Sequence, residues 1–250
     1  MKPHPSKGDP IKYENGDPLS DRERRDFLKI GLIVTGIFAG GTILSLVSNV
    51  RRVFSPDALS DEYPYKPHYS MVIRQDRCIG CERCMKACVS TNQVPGYGWR
   101  TRILQKEAPK AIGQKQEFIP ILCNHCNNPP CVRTCPTKAT YKDKTNGIVM
   151  MNEKKCIGCK SCMIACPYDA RYFNEEKHAI DKCDFCFEAR ISSGNGLAAC
   201  TEICPADVRI FGDLSDPESR VHQMVHQLQK SVWVIREEAG SKPNVFYTKG

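Results

Sequence analysis

Hydrophobic and polar positions divide the chain into a few unlike stretches. Residues 1–29 are polar, with Pro, Gly and Asp and too little apolar surface for a core. They run directly into 21 uncharged residues, Ile30 to Val50. As a helix rising ~1.5 Å per residue, that stretch would reach roughly 31 Å, matching a bilayer core of ~30 Å. Residues 51–70 turn polar again, with Pro56, Pro64 and Pro67 among Tyr63, Tyr65 and Tyr69, and read as an extended linker across a partner surface. Met71-Val72-Ile73 predicts a short edge strand, and Phe118-Ile119-Pro120-Ile121 a second strand. Thr145-Asn146-Gly147 before Ile148-Val149-Met150 is a hairpin signal. Asp216-Pro217-Glu218 predicts a helix start: a capping side chain, proline in the first position and an acid in the first turn. Val221, Met224, Val225 and Leu228 then share one face. His222 and His226 lie four apart on that helix. A polar face explains them better than a metal or haem pair, since no further ligand stands near them in sequence. No second membrane-length apolar run follows.

Between these stretches sit sixteen cysteines in four groups of four. They are Cys78, Cys81, Cys84 and Cys88; Cys123, Cys126, Cys131 and Cys135; Cys156, Cys159, Cys162 and Cys166; and Cys183, Cys186, Cys200 and Cys204. The first and third read C-x2-C-x2-C-x3-C, the thiolate spacing that holds [4Fe–4S] clusters in bacterial ferredoxins. Three cysteines on a tight loop reach three iron corners, and the fourth, on the helix that follows, reaches the cluster of a partner group. Pro136, Pro167 and Pro205 complete a Cys-Pro ending in three groups, while Val89 follows Cys88 in the first. Gly80 and Gly158 let backbone N–H groups approach the inorganic sulfides, and Ile79 and Ile157 are expected to shield the clusters from water. Structural zinc suits two C-x2-C pairs with a longer insert, and disulfides suit small chains that cannot bury a core; neither fits this pattern as well.

The first and third groups are near copies, each reading Cys-Ile-Gly-Cys and continuing to Cys-Met-x-Ala-Cys. A duplicated two-cluster ferredoxin is the simplest account. The second and third groups are close enough to form one module, leaving the first and fourth for another that nests around it. One sequence does not settle the pairing.

The formal net charge is +8. An oxidised cluster with four thiolates carries roughly −2, so four offset the excess. The basic residues Lys154, Lys155 and Lys160 around the third group, and Arg74, Arg77, Arg83 and Lys86 around the first, read as counter-charge or solvated surface. No nucleic-acid signature or P-loop is present, and no nucleic-acid partner is expected.

The segments Leu122-Cys123-Asn124-His125-Cys126, Asn128-Pro129-Pro130-Cys131-Val132, Ala165-Cys166-Pro167-Tyr168-Asp169-Ala170-Arg171, Asp181-Lys182-Cys183-Asp184-Phe185-Cys186 and Gly212-Asp213-Leu214 carry a resemblance. Over about residues 70–215 the chain resembles the four-cluster electron-transfer subunits of the dimethyl sulfoxide, polysulfide and tetrathionate reductase group. The resemblance implies an α+β fold of two nested dicluster ferredoxin modules, residues 71–119 with 176–215 and residues 120–175, followed by a C-terminal helix and tail over 216–250. It implies four [4Fe–4S] clusters, held by Cys78, Cys81, Cys84 and Cys204; by Cys183, Cys186, Cys200 and Cys88; by Cys123, Cys126, Cys131 and Cys166; and by Cys156, Cys159, Cys162 and Cys135. Relatives that lack one cysteine of the third group carry a three-iron cluster; this chain keeps all four.

Arg24-Arg25-Asp26-Phe27-Leu28-Lys29 resembles the twin-arginine export motif, with Glu23 where Ser or Thr is usual. Export by that machinery suits a protein whose clusters are loaded before crossing. Ile30–Val50 lacks a small-x-small cleavage site, which favours an uncleaved anchor, with the clusters on the extracytoplasmic face. The expected role is non-catalytic relay of single electrons between an integral quinone-reactive membrane subunit and a terminal redox subunit, a molybdopterin protein or a multihaem cytochrome. The competing readings are an iron–sulfur subunit of a cytochrome-containing menaquinol complex for sulfate respiration or nitrite reduction, a self-contained redox enzyme, and a zinc-scaffolded interaction protein.

Overall fold

The run Tyr69–Arg74 forms strand β1, whose four central residues are buried on both faces. A strand covered on both sides needs apolar residues at consecutive positions, which Met71-Val72-Ile73 supplies. The computed structural model describes residues 63–106, 116–194, 196–226 and 231–249. The N-terminal motif and the 30–50 span lie outside these residues. Among the described residues, no helix is long and apolar enough to cross a membrane.

Strand β1 is central rather than at an edge, which corrects the sequence expectation. β8 (Arg209–Asp213) pairs with it antiparallel, and β10 (Val245–Thr248) covers its other side in parallel. β9 (Val232–Trp233) closes the sheet outside β10. The partner for the second side comes from the last residues of the chain, too far away in sequence for a local pattern to announce. Met71 consequently sits between Phe211 and Val245.

The other strands form three two-stranded hairpins: β2 (Thr101–Gln105) with β3 (Phe118–Leu122), β4 (Thr140–Lys142) with β5 (Val149–Met151), and β6 (Tyr172–Asn174) with β7 (Ala179–Asp181). Each hairpin joins one cysteine group to the next. The β4–β5 turn follows the sequence signal: Asp143 accepts from the backbone and hydroxyl of Thr145, and Gly147 takes φ +72°.

Helix lengths follow what succeeds each fourth cysteine. Helices α2 (Pro130–Arg133), α3 (Ser161–Ile164) and α4 (Ala199–Glu202) are single turns, each stopping before a Cys-Pro pair. Proline disfavours helical backbone at the cysteine before it and cannot donate its own hydrogen bond. Val89 imposes no such stop, so α1 (Arg83–Asn92) runs ten residues. α1 packs on α4 and α2 on α3, so the first group meets the fourth and the second meets the third.

Helix α5 (Arg220–Val225) begins later than the sequence suggested, with Ser219 rather than Asp216 at its N-cap. The Asp216 side chain accepts from the Glu218 N–H at 3.0 Å and makes a turn instead of a cap. Val221 is fully buried against Val72, Ile210 and Leu214, with Met224 and Val225 at the margin. Leu228 lies outside the described residues. His222 and His226 pack around Tyr63: His222 Nδ1 donates to the Leu214 carbonyl, and His226 Nε2 is bonded to the Tyr63 hydroxyl.

Replacing Met71 by Ala should remove a fully buried side chain from the central strand. A loss of about 2–5 kcal/mol is expected, read as a lower denaturant midpoint for the loaded protein. An unchanged midpoint would mean that the sheet is not part of the cooperative core.

Candidate iron–sulfur centres

The loop Cys78-Ile79-Gly80-Cys81 turns with Gly80 at φ +70° and Glu82 at +60°, and Cys156-Ile157-Gly158-Cys159 repeats it with Gly158 at +68° and Lys160 at +60°. Left-handed residues at these spacings aim successive N–H groups into the loop, a ready site for anionic sulfur. Gly80 has a second constraint: a Cβ there would lie 2.6 Å from the Phe118 ring.

The structure gathers the cysteines across the groups. Cys78, Cys81, Cys84 and Cys204 line one cavity, with Arg209 in its wall. Cys123, Cys126, Cys131 and Cys166 line another, with Arg171 in its wall. Cys88, Cys183, Cys186 and Cys200 are all buried and act on one another. Burial, reinforced by the charges of Cys200 and Cys186, pushes the Cys88 thiol up to about 12. Burial, then Cys88, raises Cys183 well above the usual thiol value. Cys135 acts on both Cys159 and Cys162. Cys156 packs against the apolar cluster that contains Cys162.

These sets differ in exposure. The sulfurs in the Cys88 set are buried throughout, and Cys123, Cys126 and Cys131 are buried with Cys166 half-buried. Among the sixteen, Cys81 and Cys159 are exposed, one in the Cys78 set and one beside Cys135 and Cys162.

The donor chemistry fits a [4Fe–4S] cube better than a single ion. Thiolates sharing one zinc at ~2.3 Å stand about 3.8 Å apart. Here the cysteines ring cavities, and among the described residues no three His, Cys, Asp or Glu side chains are placed to hold one metal ion.

Buried polar groups surround the sulfurs. Asn92, brought there by the extra length of α1, directs Nδ2 to Cys88 Sγ at 3.6 Å and Cys186 Sγ at 3.5 Å. Arg100 orients Asn92 through a 2.9 Å bond to its Oδ1 and pairs with Asp181 and Asp184. Lys142 donates to the His125 carbonyl, and burial lowers its ammonium to about 8 against the pull of Cys126 and Cys123.

His125 is fully buried. Its Nδ1 accepts from the Val149 N–H at 3.1 Å, and its ring stacks on Phe185 at 3.8 Å between centroids. Burial, then the charges of Lys182 and Lys142, holds its pKa well below the ordinary value, so the imidazole is neutral. His125 lies inside the second cysteine group and Phe185 inside the fourth, so the stack joins two C-x2-C loops.

One expectation needs correction. Ile79 and Ile157 do not seal their loops from water: they are 59% and 66% exposed, Ile79 while lining the cavity of the Cys78 set, and Ile164 is 88% exposed. The flanking basic residues follow the solvated-surface reading, although Arg83 also lines the cavity of the Cys78 set. Arg77, Arg83, Lys86, Lys154, Lys155 and Lys160 are exposed, and Arg74 is ion-paired to Asp207. The cations inside are Arg171, Lys182 and Arg209, each at most 2% exposed, with Arg100 close behind. The signal that would have found two of them is a repeat. Cys166-Pro-Tyr-Asp-Ala-Arg171 and Cys204-Pro-Ala-Asp-Val-Arg209 share one pattern, each followed two residues later by Phe.

Residues 114–214 match the family described as a 4Fe-4S dicluster domain. The B subunit of tetrathionate reductase from Salmonella typhimurium is 39% identical over 229 residues, 91% of this chain and 88% of that protein. Protein NrfC of Escherichia coli K12 is 34% identical over 225 residues, 89% of this chain and 93% of that one. The B component of polysulfide reductase from Wolinella succinogenes is 38% identical over 181 residues, covering 71% of this chain and 92% of that protein.

With the Cys88 and Cys126 thiols both pushed up to about 12, protons compete with iron for them at every lower pH. Iron loss to a chelator should therefore accelerate as pH falls from 9 to 6, by up to roughly tenfold per unit for each thiolate that must be protonated. A rate flat across that window would show that iron leaves without protonation of these sulfurs.

Proposed function

The chain belongs to the iron–sulfur electron-transfer subunits of the dimethyl sulfoxide, polysulfide and tetrathionate reductase group, and on that premise we propose that it wires a quinone-reactive membrane subunit to a terminal reductase. When bound, four [4Fe–4S] clusters supply one-electron chemistry, and the residues around them position and bias it.

The ligand sets proposed are Cys78, Cys81, Cys84 and Cys204 (first); Cys88, Cys183, Cys186 and Cys200 (second); Cys123, Cys126, Cys131 and Cys166 (third); and Cys135, Cys156, Cys159 and Cys162 (fourth). Two cavities lined by the complete first and third sets support the assignment. Residues 71–119 with 176–215 then form one dicluster module around a second, 120–175. The observation that carries the relay is the gradient of exposure: set two is buried, set three is buried but for the half-buried Cys166, and sets one and four each keep one exposed cysteine. Such an arrangement insulates the middle of a path and opens its ends. Cys84 acts on Cys200 and Cys131 on Cys162, linking sets one to two and three to four, and the His125–Phe185 stack spans two to three.

The open ends are where partners dock. Ile79 and Ile203 stand exposed beside the first set, and Ile157 and Ile164 beside the fourth. Sealing such side chains against a partner would exclude water from the terminal clusters. The terminal partner is a molybdopterin reductase for a sulfur oxyanion such as tetrathionate, supported by the coverage of the 39% identical relative over both chains. The match to Protein NrfC supports the second reading, a cytochrome-containing complex for nitrite reduction or sulfate respiration. The Arg24-Arg25 motif and the 30–50 stretch support export by the twin-arginine machinery and an anchor on the periplasmic face of the cytoplasmic membrane.

Gentle detergent extraction from native membranes should co-purify an integral membrane subunit and a molybdopterin protein. A multihaem cytochrome in place of the latter would decide for the second reading, and a chain with no redox partner would refute both. Ile79→Glu and Ile157→Glu should each weaken binding of a different partner by roughly tenfold, with iron content unchanged. Equal binding by both variants would place the partner surfaces elsewhere.

A further inference from the structure

Arg171 and Arg209 are 2% and 1% exposed, and among the described residues neither has a carboxylate partner. Burying an unpaired cation costs several kcal/mol unless something else compensates it. Arg100, also inside, has Asp181 and Asp184; these two arginines have sulfur.

Arg171 Nη2 lies 2.9 Å from Cys131 Sγ, and the charge of the same guanidinium acts on Cys162. Arg209 Nη2 lies 3.7 Å from Cys84 Sγ, and its Nη1 lies 4.0 Å from Cys200 Sγ. Under the ligand sets proposed above, each arginine stands between two clusters of one module: Arg171 between the third and fourth, Arg209 between the first and second. Arg209 touches the third cysteine of both groups it joins; Arg171 touches that of the second group and acts through its charge on that of the third. Nε and Nη1 of Arg171 have no hydrogen-bond acceptor, although both are buried.

The support is duplicated as well. Arg171 Nη2 donates to Thr140 Oγ1 at 2.9 Å, and Thr140 donates to the Met150 carbonyl. Arg209 Nη2 donates to Thr101 Oγ1 at 2.7 Å, and Thr101 donates to the Ile121 carbonyl. Thr140 pairs with Met151 and Thr101 with Leu122, so each hydroxyl reaches the carbonyl one residue before its cross-strand partner. The same construction in two hairpins is a built feature of the fold.

We propose that Arg171 and Arg209 are positioning residues for charge: each is a fixed cation shared by the two clusters of its module. Each raises the potentials of both clusters and weakens the repulsion that an electron on one exerts on the other. The proposal rests on the four-cluster reading and on the ligand sets given above.

The test is EPR-monitored redox titration of the full, cluster-loaded chain and of Arg171→Gln and Arg209→Gln, with iron and sulfide counted in each. Each Gln chain should move two of the four potentials downward by a tenfold or larger change in the one-electron equilibrium, ~59 mV or more. The two affected pairs should be different, and the double variant should move all four. Arg171→Lys and Arg209→Lys keep the charge and should shift less. Unmoved potentials, the same pair moved by both Gln chains, or Lys shifting as far as Gln would each overturn the proposal. If the Gln chains fail to load, Thr140→Val and Thr101→Val decide instead: by loosening the anchor they should lower the same pairs by a smaller amount, and unmoved potentials count against it. Roughly sixteen iron and sixteen sulfide per chain keep this outcome separate from the four-cluster reading, which a lower count would refute on its own.

Discussion

Anionic sulfur held inside a small protein is the constraint on which everything else in this structure depends. Short stretches that would otherwise be ordinary loops must bring thiolates from distant parts of the chain to one place and keep water away. The low dielectric that isolates an electron also penalises every charge placed in it. The fold answers in two ways. Left-handed turns aim backbone N–H groups inward at Gly80 and Gly158, and buried guanidinia face the sulfurs at Arg171 and Arg209.

The strands serve that task more than they form a conventional core. Three hairpins act as spacers between successive cysteine groups, and the four-stranded sheet ties the beginning of the first group to the end of the fourth and to the C-terminal tail. Much of the largest apolar cluster is itself cysteine, interleaved with Leu122, Ile148, Phe185 and Tyr247. In such a core the same residues pack and conduct, so a substitution beside a cluster alters stability and electronic environment together.

Much of this was legible in order. The hairpin over 141–151, the strand before the second group and the apolar face of α5 follow from local patterns. The central place of β1 was not legible, because β10 joins it from the other end of the chain. The late start of α5 was missed because Asp216 bonds locally to Glu218, a competition between turn and cap that residue types alone do not resolve. The exposure of Ile79 and Ile157 was missed for a related reason: an apolar residue beside a cluster can face inward or toward a partner, and the loop geometry chooses.

By itself, the sequence determined the chemistry: four complete sets of four cysteines, two of them at ferredoxin spacing, admit iron–sulfur clusters and little else, because thiolate count and loop length are local properties. The three Cys-Pro endings and the single Val89 likewise dictate helix length locally. The tertiary structure alone decided which charges lie inside. Arginines and lysines are alike as surface residues in a sequence, and Arg171 and Arg209 come to face sulfur only because a threonine of a distant hairpin holds each guanidinium. It also decided which cysteines stay exposed. Exposure depends on what packs above a residue, and the described residues leave Cys81 and Cys159 exposed.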